Sequence, residues 1–136
     1  MSQQPSQHTA IPPPITVSIV DLQKIEALLE LPAYRKLPGI TALQSELDRA
    51  NVVDAADMPT DVVAMHSTVR FIDDVSQQEF SLTLVYPQEA GSPDAVSVLA
   101  PVGSALLGLS PGQTIAWQVP GVRSLSLRVL SVQPPA

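Results

Sequence analysis

The sequence lacks cysteine and has few basic residues. Without cysteine the chain forms no disulfide and offers no thiolate as a nucleophile or metal ligand, which is compatible with a reducing cytosol. Seven Lys and Arg against thirteen Asp and Glu give a formal net charge of −6. A sequence-independent nucleic-acid binder needs clustered cations against phosphates, so the composition argues against that class.

Long apolar runs are also missing. No stretch approaches the ~20 apolar residues of a membrane span. The N-terminus, "MSQQPSQHTAIPPP", has neither the basic start nor the apolar centre of a signal peptide. Its Gln, Ser and Pro content predicts a disordered tail over residues 1–14, to which we assign no role. We therefore expect a cytoplasmic protein.

Aromatic residues are scarce, with two Phe, two Tyr and one Trp, although 45% of the chain is hydrophobic. The core is therefore expected to be aliphatic. A chain of 136 residues has room for one domain and a small appendage.

Two amphipathic segments near the N-terminus predict helices. In "VSIVDLQKIEALLE", Ser18 and Asp21 have the spacing of a capping box, and Pro32 ends the helix. In "ITALQSELDRAN", the apolar residues again recur at helical spacing. The connection is short, so residues 15–52 are predicted to form a short antiparallel coiled-coil arm.

The period of the apolar residues changes to two after the turn-rich segment "VVDAADMPTD". Residues 53–136 therefore read as a second unit, with about five antiparallel strands and one short helix, "PVGSALLGL", before the fourth strand. Pro120 and Gly121 predict a hairpin turn between the last two strands. The fold class is α+β. The strands are expected around Met65–Phe71, Phe80–Leu84, Ala95–Leu99, Ile115–Val119 and Leu125–Val129.

Residues for metal or nucleophilic chemistry are few. Asp54, Asp57 and Asp61 lack the glycine and terminal glutamate of a calcium loop, so they predict a solvated linker. His66 is the one histidine expected in an ordered region; the alternation places it on the polar face of a strand, as a surface or edge residue. Asp73 and Asp74 predict a turn. We expect no enzyme, no metal and no cofactor.

One stretch, "LAPVGSALLGLSPGQ", nearly matches a phosphate-binding loop because Gly103 and Gly108 lie five residues apart. Leu109 stands where that loop has lysine, and Ser110 to Gly112 end a helix where the loop would start one. The stretch therefore predicts a turn, a short core helix and a second turn.

The same region carries a family resemblance. "VSVLAPVGSALLGLSPGQTIAWQVPG" resembles the C-terminal domain of the bacterial Gre transcript cleavage factors. "LLELPAYRKLPGITALQSELDRANVV" and "MPTDVVAMHSTVRF" resemble the Rnk-type members of that family. The resemblance covers residues 15–133. It implies an FKBP-like C-terminal domain, and it implies RNA polymerase as the partner, bound at the rim of the secondary channel.

The tip of the arm departs from the Gre pattern. In Gre factors, acidic residues at the tip help to hold a catalytic magnesium ion for transcript cleavage. Here the tip offers Tyr34, Arg35 and Lys36, and Glu30 lies just before it. The resemblance therefore implies a monomeric regulator that competes with Gre-type factors without stimulating cleavage. For Arg35 and Lys36, a solvated loop is the alternative.

The docking residues implied by the resemblance are Leu99, Pro101, Val102 and Gly103, because Pro101 matches the proline of the Gre docking turn. Leu99 replaces the family's aspartate, so it is either an exposed apolar contact or a core residue. Sequence-specific DNA binding and membrane binding are not expected. Two other functions stay open: an effector of nucleoside diphosphate kinase, through nucleotide or enzyme contact, and a peptidyl-prolyl isomerase, for which aromatics are too few.

Overall fold

The computed structural model describes residues 14–37, 39–117 and 125–135. In these ranges the chain forms strands and helices in the order β1 (Thr16–Ser18), α1 (Ile19–Leu29), α2 (Pro32–Arg35), α3 (Ile40–Asp48), β2 (Asn51–Val53), β3 (Thr68–Asp73), β4 (Gln78–Val85), β5 (Ala95–Ser97), α4 (Pro101–Leu106), β6 (Thr114–Trp117) and β7 (Leu125–Gln133). Two short 3₁₀ helices, Ala55–Asp57 and Pro87–Glu89, lie in the connections. None of the helices described is long and apolar enough to cross a membrane.

The start of α1 matches half of the predicted capping box. Ser18 is the N-cap, and its hydroxyl oxygen accepts a hydrogen bond from the backbone N–H of Asp21 at 3.1 Å. The Asp21 carboxylate accepts instead from the backbone N–H of Met65 at 3.2 Å. The side chain that was expected to cap its own helix thus links α1 to a distant loop.

The predicted second helix is α3, which begins after Gly39 in the left-handed region, at φ +87°. Ile40, Leu43 and Leu47 are buried, and they join the core cluster that also holds Ile25 of α1. The helix ends earlier than the pattern suggested, because Asn51–Val53 pairs as a strand.

That pairing joins β2 to β1 in parallel, with Thr16 opposite Asn51 and Ser18 opposite Val53. Parallel strands need a crossover connection, and here the three helices α1 to α3 provide it. Neither strand was predicted, because three residues are too few to show a period. We call residues 19–48, which lie between the two strands, the helical segment.

The remaining strands form one sheet in the order β5-β4-β3-β7-β6. The five strands confirm the predicted number, but the prediction that all are antiparallel is wrong, since β5 runs parallel to β4. Residues 86–94 turn back through the second 3₁₀ helix, so that Ala95 starts again beside Thr83. The sheet is therefore mixed, with β5 at its edge.

One face of the sheet is buried against α4, which packs on β5, β6 and β7. Val69, Phe71, Ile115 and Leu127 all lie on that face and are at most 2% exposed. The alternation in β4 predicts that its apolar residues face the core; Leu84 does so, but the prediction is wrong at the start of the strand. There Phe80 stacks on Phe71, with ring centroids 5.4 Å apart, yet is 39% exposed. The predicted hairpin turn at residues 120–121 lies outside the described residues.

Candidate functional site

The connection from β5 to α4 contains the predicted docking residues. Leu99 is 6% exposed, so of its two alternatives the structure favours the core residue. Its backbone N–H donates to the Ser97 hydroxyl oxygen at 3.0 Å in the turn before α4. Pro101 and Val102 are partly exposed at the start of α4. They are the members of the set that a partner could reach.

Gly103 is buried where α4 approaches β5 most closely. A Cβ at this position would overlap the backbone carbonyl oxygen of Ser97. The next residue, Ser104, fastens the same contact, since its hydroxyl donates to the carbonyl oxygen of Val98 at 2.7 Å. Gly103 therefore serves the packing of α4, so that Pro101 and Val102 are the predicted docking residues that lie nearer the surface.

In the stretch that nearly matches a phosphate-binding loop, the backbone N–H and carbonyl groups of Gly108 are hydrogen-bonded to other parts of the protein. The N–H of Gly108 donates to the carbonyl oxygen of Val63 at 2.9 Å, and its own carbonyl accepts from Thr16 at 3.2 Å. Gly108 has φ +82°, and a Cβ there would lie 2.6 Å from the Cβ of Ile15. The stretch forms the predicted short helix between turns, and its contact with β1, which was not predicted, makes the second turn a packed junction.

The stretch between α1 and α3, which we call the tip (residues 30–37), is largely exposed. Arg35 and Lys36 reach solvent, and so do the apolar side chains of Leu31 and Leu37, which are 47% and 38% exposed. Tyr34 is half-buried against the core. The tip thus presents two cations beside two leucines.

Glu30, the one carboxylate of the tip, faces a cleft between α1 and α3 together with Arg35 and Gln44. Residues 31–37 contain no Asp or Glu, so the tip has no second carboxylate that could bind a divalent cation together with Glu30. Within the part of the chain that the structure describes, no group of three or more His, Asp or Glu residues is arranged to hold a metal ion.

The predicted place of His66 in a strand is wrong. It lies in the turn before β3 with φ +71°, a conformation that ends strand geometry. Its ring nitrogen Nε2 lies 2.9 Å from Oε1 of Glu89, and both side chains are partly exposed. The surface position was predicted correctly. Hydrogen bonding to His66 is the main cause that lowers the pKa of Glu89.

A cluster around Tyr86 joins α1 to the sheet, and sequence reasoning missed it. Tyr86 is 7% exposed. Its ring makes an edge-to-face contact with the His66 ring, with centroids 5.7 Å apart. The Nζ atom of Lys24 lies over the Tyr86 ring, 5.9 Å from its centroid. Burial, and then the charges of Asp21 and Glu89, raise the pKa of Tyr86 to about 12. Its hydroxyl has no hydrogen-bond partner among the described residues.

The sequence marked Tyr86 as an unusual residue but did not indicate its contact with α1. Tyr86 is one of only two tyrosines, and it follows the buried end of a strand directly before a proline. Lys24 carried no signal of its own, because an exposed lysine on a helix is ordinary.

Comparison with known proteins gives concordant matches. The family described as "Transcription elongation factor, GreA/GreB, C-term" matches residues 58–134, and the family "Rnk N-terminus" matches residues 13–53. The regulator of nucleoside diphosphate kinase of Escherichia coli K12 is 43% identical over 122 residues, which are 89% of this chain and 90% of that protein.

More distant relatives and a solved structure agree. Transcription elongation factor GreA of Caldanaerobacter subterraneus is 34% identical over 96 residues, which cover 69% of this chain and 60% of that protein. The prokaryotic transcription elongation factor GreA/GreB from Nitrosomonas europaea superposes with a TM-score of 0.70 at 46% identity, covering 89% of this chain and 98% of that one. The chain therefore belongs to the GreA/GreB family of transcription elongation factors, in the branch that carries the Rnk N-terminus.

Proposed function

We propose that the protein regulates transcription by binding RNA polymerase at the rim of its secondary channel, in competition with Gre-type factors, without stimulating transcript cleavage. The family supports the kind of partner, because its relatives are transcription elongation factors. The observation that carries the rest is the tip, with its two exposed cations and single carboxylate.

In this proposal the helical segment acts as a short antiparallel coiled-coil arm within residues 15–52. Its first helix, α1, has 11 residues, which span ~16 Å at 1.5 Å per residue. Glu30 alone supplies too few oxygen ligands for a divalent cation shared with an active site. An arm of this kind occupies the channel entrance without contributing to cleavage.

Residues 53–136 act as the FKBP-like docking unit. Pro101 and Val102 provide its contact, because they begin α4 and stay partly exposed, whereas Leu99 and Gly103 are buried. The contact is apolar, since Leu99 replaces the charged residue of the Gre docking turn and is itself buried. The protein acts as a monomer in the cytoplasm and makes no sequence-specific contact with DNA.

Co-migration with core RNA polymerase on a sizing column tests this function. The parent protein is expected to co-migrate at micromolar concentration in low salt. Val102→Asp should weaken co-migration about tenfold, because a carboxylate would enter an apolar contact. Val75→Asp is the matched control, since Val75 lies in the β3–β4 turn, 65% exposed and away from α4. No co-migration of the parent protein would disprove the function.

A second candidate function comes from the relative named as a regulator of nucleoside diphosphate kinase. The protein would then act on that enzyme directly or through nucleotide. Calorimetry with ATP and with GTP should show no heat of binding, because the backbone groups of Gly108 are already engaged. Heat of binding with either nucleotide, or with the kinase but not the polymerase, would favour this second function.

A further inference from the structure

Ile25 and Leu29 of α1 are buried in the same hydrophobic core as residues of the sheet, and two further contacts join this N-terminal part of the chain to the rest of the protein. The first is the packed junction at β1, where the N–H of Thr16 donates to the carbonyl oxygen of Gly108 at 3.2 Å. Gly108 also lies so close to Ile15 that a side chain there would collide with it. This contact fixes the base of the helical segment but lies on one strand only.

The second contact is one face of α1. Asp21 accepts from the backbone N–H of Met65, and Lys24, one turn further, lies over the ring of Tyr86. Leu28, another turn along, lines a cavity of about 310 Å³ together with Lys24 and Tyr86. Positions 21, 24 and 28 share a helix face, and this face of α1 meets the loop before β3 and Tyr86 at the end of β4.

Tyr86 is held from the sheet side in this contact. Its backbone N–H donates to Oε1 of Glu89 at 3.1 Å, and the same carboxylate oxygen lies 2.9 Å from His66, whose ring meets the edge of the Tyr86 ring. These contacts hold the ring from the side opposite α1. Its buried hydroxyl lies near enough to Asp21 of α1 for that carboxylate to help raise its pKa, but it makes no hydrogen bond of good geometry among the described residues, so the ring carries most of the contact.

We propose that Tyr86 is a positioning residue that sets the direction of the helical segment relative to the sheet. The core and the junction at β1 hold the inner side of α1, and the contact along its other face adds a second support that defines its axis. The tip then projects in one direction before any partner binds. The consequence for polymerase binding rests on the proposed function, but the fixed direction itself does not.

A distance measurement in the full-length protein tests this inference. Because the chain has no cysteine, Lys36→Cys and Ser131→Cys create two specific sites for spin labels, one on the tip and one on exposed β7. Pulsed electron resonance should give one narrow distance distribution. Tyr86→Ala should widen it at least twofold, while Tyr86→Phe, which keeps the ring, should leave it unchanged.

Lys24→Ala provides a second variant at an exposed position, in case Tyr86→Ala fails to fold. It should widen the distribution by a smaller factor, because only the contact over the ring is lost. An unchanged width in Tyr86→Ala, or in Lys24→Ala if the former does not fold, would overturn the inference, and so would widening in Tyr86→Phe. Polymerase takes no part in this measurement, so its result stands whether or not the proposed function fails.

Discussion

The short helices α2 and α4 begin alike and end in opposite environments. Each has Pro near its first position and no side-chain cap, so the local signal that starts them is the same. In α4, Gly103 to Leu106 are all buried, whereas no residue of α2 is buried. The difference between the two helices is therefore set by tertiary contacts.

This difference separates scaffold from contact surface. A helix of six residues is unstable alone, so α4 exists because β5 and the sheet hold it. By contrast, α2 is attached through the chain and through half-buried Tyr34, and it leaves Arg35 and Lys36 free to meet a partner. We expect substitutions at the buried positions of α4, Gly103 to Leu106, to change stability, and substitutions at the exposed positions of α2 to change binding.

The largest expected effect is at Gly103. Gly103→Ala should lower the free energy of unfolding by about 3 kcal/mol, because the new Cβ meets the rigid backbone of Ser97. Urea unfolding followed by circular dichroism measures this loss. Gly91→Ala is the matched control: a Cβ there meets nothing within 4 Å, and stability should change by under about 0.5 kcal/mol. Equal losses at both positions would contradict the packing of α4 on β5.

A smaller effect is expected at Ser104. Ser104→Ala should cost about 1–2 kcal/mol, because the buried carbonyl oxygen of Val98 loses its hydroxyl donor. Thermal unfolding of this variant can be compared with that of Ser45→Ala, a change at an exposed position of α3. If the two variants unfold at the same temperature, the hydrogen bond contributes nothing.

The raised pKa of Tyr86 leads us to expect that the free energy of unfolding falls at high pH. Its pKa is raised from 10.0 to about 12 in the folded protein, so above pH 10 the unfolded chain releases this proton first. The contribution of Tyr86 to stability is present below pH 10 and is lost between pH 10 and pH 12. Denaturant titrations across that range should show a smaller decline for Tyr86→Phe than for the parent protein. An identical decline would mean that Tyr86 is not buried.

The smallest change in stability is expected at the tip. Lys36→Ala and Arg35→Ala should each alter the free energy of unfolding by under about 0.5 kcal/mol, because both side chains are exposed. Under the proposed function, the same variants should bind core polymerase several-fold more weakly, as measured by fluorescence anisotropy. Gln23→Ala, at an exposed position of α1, provides a surface control. A stability loss above 1 kcal/mol would show that the tip is part of the scaffold.

The sequence predicted the elements whose periods are long enough to recognise. The two main helices and the four longer strands of the sheet follow from stripes and alternation. The pairing of β1 with β2 and the parallel direction of β5 did not follow, because three-residue strands have no period and direction depends on how a loop returns.

Single side chains were predictable only where the local pattern decides their environment. Leu99 could be read as core or contact, and only the packing of distant residues around it, which leaves it 6% exposed, distinguishes the two. His66 was misplaced because its left-handed backbone is invisible in an alternating pattern. Tyr86 gains its role from α1, which lies some sixty residues earlier, and no local pattern encodes that contact.

Under the proposed function, a Gre-family protein with this tip occupies the polymerase without promoting cleavage. The most direct test is a titration of the protein into backtracked elongation complexes that contain a Gre factor. We predict that cleavage of the transcript falls as the protein is added, and that the protein alone produces no cleavage. Undiminished cleavage at saturating protein, or cleavage by the protein alone, would contradict it.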